Sequence, residues 1–71
     1  MLKKKQMYKL GSKVRHRTSE IEGYIVHSSS GVSVNGYYYE NGEIKRFHTL
    51  SMTMKELKEN WKRVYKFKYI V

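Results

Sequence analysis

The chain has 71 residues, contains no cysteine and no proline, and carries a formal net charge of +9. Without cysteine there is neither a disulfide nor a thiolate metal site, and the length allows one small domain that must be stabilised by its own core. No apolar run approaches the roughly 20 residues that a membrane span needs. We therefore expect a cytoplasmic protein, with residues 1–10 as a basic lead-in and residues 11–71 as a single domain.

Positive charge is concentrated at the two ends of the chain. Residues 1–17 carry a charge of +7, residues 18–60 carry −2 and residues 61–71 carry +4. A basic patch on a small domain is typical of a protein that binds a polyanion, because phosphate contacts release condensed counterions. The alternative is a solvated surface whose charge keeps the protein soluble.

The first predicted strand covers residues 13–17, after a Gly-Ser turn. Basic residues alternate here with others, so Lys13, Arg15 and Arg17 would share one face of the strand. The pattern predicts a cationic stripe, and it equally suits an edge strand that positive charge protects from pairing with other chains. The three lysines at 3–5 are expected to form a mobile tail beside this stripe.

A second strand is predicted at residues 23–27, where Gly-Tyr-Ile-Val-His is rich in β-branched and aromatic residues. Residues 28–31, Ser-Ser-Ser-Gly, have the composition of a loop. No acid or base accompanies these serines in the pattern of a hydrolase, so we expect no catalytic serine.

The longest β-rich stretch is residues 31–48. Asn41 and Gly42 separate two of its runs, and this dipeptide accepts the positive φ angles of a type I′ turn, so it predicts a hairpin. The Asn-Gly dipeptide at 35–36 suits either a second turn or a bulge inside one long strand. On a strand, Tyr38 would face away from the tyrosines on either side of it.

The pattern changes to a helical period in the next segment. Thr53 stands three residues before a glutamate, which is the spacing of a capping box. Met54, Leu57 and Trp61 recur on one helical face. We predict a helix of about two turns over residues 54–60, with Trp61 in the core.

Period two returns in the last stretch, residues 62–71. Tyr65, Phe67 and Tyr69 would lie on one face of a strand, with lysines on the other. Such a face suits the stacking of nucleic-acid bases. We favour the simpler interpretation, in which the rings fill the core, because so small a domain needs them there.

Several segments together resemble the SH3-like small barrels, including the KOW and Tudor-like groups. The resemblance is carried by GSKVR at 11–15, EGYIV at 22–26, the Asn-Gly hairpin and a helical turn before a last strand, and it covers residues 10–68. It implies a mainly β fold: a small SH3-like barrel of about five short antiparallel strands with one short helix before the last strand. It also implies that the first and last strands lie side by side, which would merge the two cationic ends into one patch.

From this arrangement we predict a nucleic-acid-binding small barrel with weak sequence specificity and an accessory or regulatory role. Loosely held lysines and arginines contact phosphates without reading bases. The expected partner is the phosphate backbone of DNA or RNA. The expected contact residues are Lys13, Arg15, Arg17, Arg46, Lys66 and Lys68.

The alternative prediction is a protein–protein interaction module, an adaptor or inhibitor of mobile-element or phage origin, that binds a host or partner protein through an exposed tyrosine hairpin. Its expected contact residues are Tyr37, Tyr39 and Phe47, because aromatic side chains dominate the energetics of interfaces. In either case we expect a monomer or a homodimer and no membrane.

No combination of residues predicts an enzyme. His16, His27 and His48 lack the spacing of metal ligands, and no acid, base and nucleophile form a set. We therefore expect no catalytic residue, no metal and no cofactor.

Overall fold

The computed structural model describes residues 8–70; the predicted lysine tail at 3–5 and the last residue lie outside them. The elements are β1 (Lys13–His16), β2 (Glu22–Ser28), β3 (Gly31–Glu40), β4 (Glu43–His48), α1 (Met54–Asn60) and β5 (Trp61–Arg63). The predicted mainly β fold is confirmed, with five antiparallel strands in one sheet and one short helix before the last strand.

The strands are ordered β4-β3-β2-β1-β5, so the first and last strands are neighbours, as expected. The sheet is open: β4 and β5 form its two edges and do not pair with each other. In this respect the expectation of a closed barrel is wrong. The physical reason is that β5 has only three residues and the chain beyond it turns away from the sheet edge, so within residues 8–70 there is no long last strand to meet β4.

One face of the sheet carries the hydrophobic core, and we call it the core face. Residues paired across strands share a face, so the pairs Val14–Gly23 and Ile25–Val34 place three apolar side chains together on this face. The buried cluster consists of Val14, Ile25, Val32, Val34, Leu57 and Trp61. Leu57 belongs to α1, so the helix packs against the core face.

The helix has the predicted bounds and the predicted cap. The hydroxyl of Thr53 accepts a hydrogen bond from the backbone N–H of Glu56, whose carboxylate accepts one from the backbone N–H of Thr53. Leu57 and Trp61 are buried as predicted, but Met54 is exposed. Trp61 is the first residue of β5 and is not part of the helix. The helix itself therefore buries only Leu57, fewer residues than its apolar period predicted.

The predicted hairpin is confirmed at β3 and β4. Asn41 and Gly42 both have positive φ angles, 54° and 81°, as a type I′ turn requires. The Asn-Gly dipeptide at 35–36 is neither a turn nor a bulge, because β3 pairs without interruption on both sides there. Gly36 instead lies opposite Gly23, where the absence of side chains lets the two strands approach closely.

The predicted strand at 62–71 is wrong over most of its length. β5 ends at Arg63, and residues 64–70, the C-terminal segment, have an irregular path. The backbone N–H groups of Lys68, Tyr69 and Ile70 donate to the carboxylate of Glu22 rather than to a strand. The segment therefore crosses the sheet face opposite the core.

Candidate nucleic-acid interface

The sheet face opposite the core carries most of the predicted basic residues. Pairing across strands places the following residues on it: Lys13 and Arg15 of β1, Glu22 and Tyr24 of β2, Asn35 and Tyr37 of β3, Arg46 and His48 of β4, and Lys62 of β5. We call this surface, together with the C-terminal segment that crosses it, the cationic face.

Glu22 anchors the C-terminal segment on this face. Its carboxylate has no solvent exposure and accepts backbone hydrogen bonds from Lys68, Tyr69 and Ile70 at 2.8, 2.7 and 2.9 Å. It also accepts a hydrogen bond from Nε of Arg15 at 2.8 Å. Burial by itself raises the pKa of Glu22, but these four donors outweigh burial and hold the pKa below its ordinary value.

The anchored segment brings aromatic rings among the cations. The rings of Tyr24 and Phe67 meet edge to face with centroids 5.2 Å apart, and Nζ of Lys13 lies 5.5 Å from the centre of the Phe67 ring. The guanidinium of Arg15 and Nζ of Lys68 lie 5.7 and 5.4 Å from the Tyr69 ring. These distances permit cation–π attraction, which holds the positive charges close together.

Three of the six predicted contact residues therefore have their charged groups in one cluster, namely Lys13, Arg15 and Lys68, and a fourth, Lys66, adjoins it. Lys66 joins it through its backbone carbonyl, which accepts a hydrogen bond from Arg15 at 3.4 Å. We expected the two cationic ends of the chain to form one patch because the first and last strands would be neighbours. In the structure the lysines reach the cluster on the irregular C-terminal segment instead.

Arg46 lies on the same face but two strands further along the sheet from β2. The cross-strand pairs Arg46–Tyr37, Tyr37–Glu22 and Glu22–Arg15 form a continuous row. Around Arg46 and Tyr37 there is a depression of about 310 Å³, which Asn35 and His48 also line. The Nδ1 atom of His48 is hydrogen-bonded to the side-chain oxygen of Asn35, which orients the imidazole.

Arg17 does not join the cluster. The strand ends at His16, and the Arg17 guanidinium turns to α1, where it donates to the backbone carbonyl of Lys58 at 2.9 Å. The stripe of three alternating cations predicted for residues 13–17 is therefore reduced to Lys13 and Arg15.

Acidic residues are separated from this surface. Glu22 is buried and ion-paired. The other five glutamates lie in the loop between β1 and β2, near the tip of the β3–β4 hairpin and on α1: Glu20, Glu40, Glu43, Glu56 and Glu59. The protein's own carboxylates therefore reduce the positive potential of the cationic face only at Arg15, which is paired with Glu22.

The three residues predicted for protein binding do not form one surface. Tyr37 and Tyr39 lie on the cationic face, whereas Phe47 pairs with Gly36 and lies on the core face. Phe47 there borders a groove of about 590 Å³ that is also lined by Ile21, Leu50, Met52 and Trp61.

Sequence reasoning missed the roles of Glu22, Asn35, His48 and Lys62. For Glu22 one signal was present: extending the predicted second strand back by one residue places this carboxylate on the face of Tyr24. For Lys62 the signal was the pairing of the first and last strands. No local pattern distinguishes Asn35 or His48 from ordinary strand residues.

Comparison of the chain with protein-family models, with curated proteins and with solved structures found no match. Among residues 8–70, no helix is long and apolar enough to cross a membrane. In the same part of the chain, no three His, Asp or Glu side chains come together as a metal-binding group.

Proposed function

We propose that this protein binds nucleic acid through the cationic face, with weak sequence specificity, and that it acts in an accessory or regulatory role. The observation that carries the proposal is the grouping of the Lys13, Arg15 and Lys68 charges around aromatic rings, with Lys66 on the same C-terminal segment. These charges come from opposite ends of the chain and lie on a face whose only carboxylate among the paired strand residues, that of Glu22, is buried.

The chemistry of the cluster suits phosphate better than base edges. Lys66 and Lys68 are exposed, and an ammonium group is a point charge rather than a fixed pattern of donors. Arg15 is committed to Glu22, which limits its ability to form a bidentate contact with a base. Contacts of this kind position a nucleic acid without identifying its sequence.

The first experiment measures fluorescence anisotropy of labelled DNA and RNA at about 50 and about 200 mM salt. Four phosphate contacts predict a loss of affinity of about 50- to 150-fold across this range. The test variant is Lys66→Glu with Lys68→Glu. Its matched control, Lys45→Glu with Lys55→Glu, makes the same change of net charge on exposed side chains away from the cationic face.

We expect the test variant to bind weakly and to retain only about a 7- to 12-fold salt dependence, since two phosphate contacts are lost. The control should remain close to the unmodified protein. Equal effects of the two variants would show that only net charge matters and would overturn the assignment of the site. The absence of binding at low salt would overturn the proposed function.

We further propose that the protein is a cytoplasmic binding protein without catalytic residues, cofactor or metal, related in architecture to the SH3-like small barrels. The adjacency of β1 and β5 and the helix before β5 support this relationship.

A second candidate function, binding of a partner protein, is favoured by the groove beside β4. Phe47 and Leu50 are exposed apolar side chains at this groove, and apolar exposure is typical of interaction surfaces. Binding there should resist salt and weaken in Phe47→Ser, whereas the nucleic-acid proposal predicts that Phe47→Ser leaves affinity for DNA and RNA unchanged.

A further inference from the structure

The outer edge of β4 carries backbone groups that no strand of residues 8–70 pairs with. In an antiparallel pair of strands, hydrogen-bonded positions alternate with positions whose backbone points away from the neighbouring strand. The N–H of Thr49 donates to the carbonyl of Val34, and this contact fixes the alternation along β4. The outward-pointing N–H and C=O groups are therefore those of Ile44, Arg46 and His48.

The two faces of β4 beside this edge differ in chemistry. All residues of the strand are exposed. Arg46 points to the cationic face, whereas Phe47 points to the core face and is 39% exposed. Phe47 forms the margin of the apolar groove, which continues to Leu50. A strand added at the edge would place alternate side chains beside a cation and beside an apolar ring.

The charge along the edge favours an acidic occupant. The only carboxylate of β4, that of Glu43, lies 3.5 Å from Nζ of Lys45. Arg46 has no ion-pair partner among residues 8–70. An acid on an added strand, opposite Arg46, would form the missing pair, and opposite charges paired across strands stabilise a sheet.

A second copy of the chain suits this edge less well. Two β4 strands related by a two-fold axis would pair antiparallel, and the register that uses all the outward-pointing residues sets the Arg46 side chains of the two copies opposite each other. Like charges directly opposite each other destabilise a sheet. Positive charge on an edge strand commonly prevents such self-pairing.

We propose that the β4 edge binds an extended segment of a partner protein, which adds a sixth strand to the sheet. The segment alternates acidic and apolar side chains, with an acid opposite Arg46 and an apolar side chain beside Phe47. In this mode of binding, main-chain hydrogen bonds supply affinity and alternate side chains supply specificity. The inference rests on the second candidate function, whose partner class it names, and is independent of nucleic-acid binding.

The first experiment selects short segments from a displayed library of random peptides with the immobilised protein. We expect enrichment of segments in which acidic and apolar residues alternate. The control is a scrambled peptide that has the composition of the best segment but lacks its alternation, and it should bind weakly. Absence of enrichment, or equal binding of the scrambled peptide, would overturn the proposal.

Hydrogen exchange with the selected peptide tests the mode of binding. The outward-pointing amides of Ile44, Arg46 and His48 should exchange rapidly in the free protein, whereas those of Lys45 and Phe47, which face β3, should exchange slowly. The peptide should slow the exchange of the first three. Binding without this protection would overturn the proposal. Protection that appears without peptide and rises with protein concentration would show that a second copy occupies the edge, which would also overturn it.

Anisotropy titrations of the labelled peptide then test the side chains. Arg46→Glu and Phe47→Ser should each weaken binding by about fivefold or more. The matched control is Lys62→Glu, which makes the same change of charge as Arg46→Glu on an exposed residue at the opposite edge of the sheet, and it should retain affinity. Equal effects of the two charge reversals would show that only net charge matters and would overturn the proposal.

The outcome is independent of the nucleic-acid experiment. If no peptide binds while DNA or RNA binds through the cationic cluster, the proposed function stands and this inference alone fails. If the peptide protects the β4 edge while no nucleic acid binds, the inference stands and the nucleic-acid proposal fails.

Discussion

The carboxylate of Glu22 and the guanidinium of Arg15 lie opposite each other on β2 and β1, with 2.8 Å between Oε2 and Nε. The same carboxylate accepts three backbone N–H groups of the C-terminal segment. One buried acid therefore joins two strands and a segment that follows it by more than forty residues in the chain. The contact holds the backbone of Lys68 directly on the cationic face.

Glu22→Gln is expected to destabilise the protein and to release the C-terminal segment. The neutral amide has one oxygen in place of two and presents an N–H₂ group toward backbone donors, so at least one buried donor loses its partner. Hydrogen bonds to charged groups contribute about 1.5–3 kcal/mol, and we expect a loss of that size in urea denaturation. Hydrogen exchange of the Lys68, Tyr69 and Ile70 amides should accelerate. Glu20→Gln, an exposed control, should change neither measurement.

Stability should fall with acid through Glu22. Because its folded-state pKa lies below the ordinary value of 4.5, the unfolded chain takes up a proton on this group first as pH falls. The contribution of Glu22 is therefore complete above about pH 5 and declines as pH falls from there through the folded pKa. Urea midpoints between about pH 3 and pH 7 should show a flatter acid limb in Glu22→Gln than in the unmodified protein. Parallel acid limbs would contradict this role.

Gly23→Ala should prevent stable folding. A Cβ atom at Gly23 would lie 2.0 Å from the carbonyl oxygen of Asn35 and 2.4 Å from Cα of Gly36, and both are backbone atoms of the paired strand. Overpacking of this kind costs about 3 kcal/mol or more, a large share of the stability of a small domain. Circular dichroism and urea denaturation measure the loss. Gly42→Ala, at an open turn with a φ of 81°, should cost only about 1–2 kcal/mol.

Arg17→Gln should separate stability from binding. Arg17 donates to the carbonyl of Lys58 in the last turn of α1, so its loss should lower the free energy of unfolding by up to about 1 kcal/mol. Nucleic-acid affinity should decrease less than in Lys68→Gln, which makes the same change of charge within the cluster. A larger loss of affinity in Arg17→Gln than in Lys68→Gln would show that Arg17 contacts the nucleic acid, as the alternating pattern predicted.

Thr53→Ala tests the capping box. Loss of the hydroxyl leaves the N–H of Glu56 without its acceptor at the start of the helix, which costs about 1 kcal/mol. The urea midpoint should fall accordingly, while Ser30→Ala, in the exposed turn between β2 and β3, should leave it unchanged. Equal midpoints for the two variants would contradict a stabilising cap.

Elements with local signals could be predicted correctly from the amino-acid sequence. The Asn41–Gly42 turn follows from backbone preferences of two residues, and α1 follows from the Thr53 cap and the spacing of Leu57. The strands of the mainly β sheet follow from alternation and composition. Each of these depends on interactions within a few residues, which a pattern in the chain records directly.

The arrangement of the two ends of the chain, in contrast, depends on contacts between distant residues. Alternation in residues 62–71 predicted a strand, yet the backbone donors of its last part find a better acceptor in the buried carboxylate of Glu22. Arg17 likewise donates to a helix carbonyl instead of lying in the predicted cationic stripe. Phe47 lies on the opposite face from Tyr37, because the register of β3 and β4 pairs Phe47 with Gly36. These outcomes depend on contacts between residues that are far apart in the sequence. An alternating pattern is the same in a segment that pairs in a sheet and in one that crosses the face of the sheet.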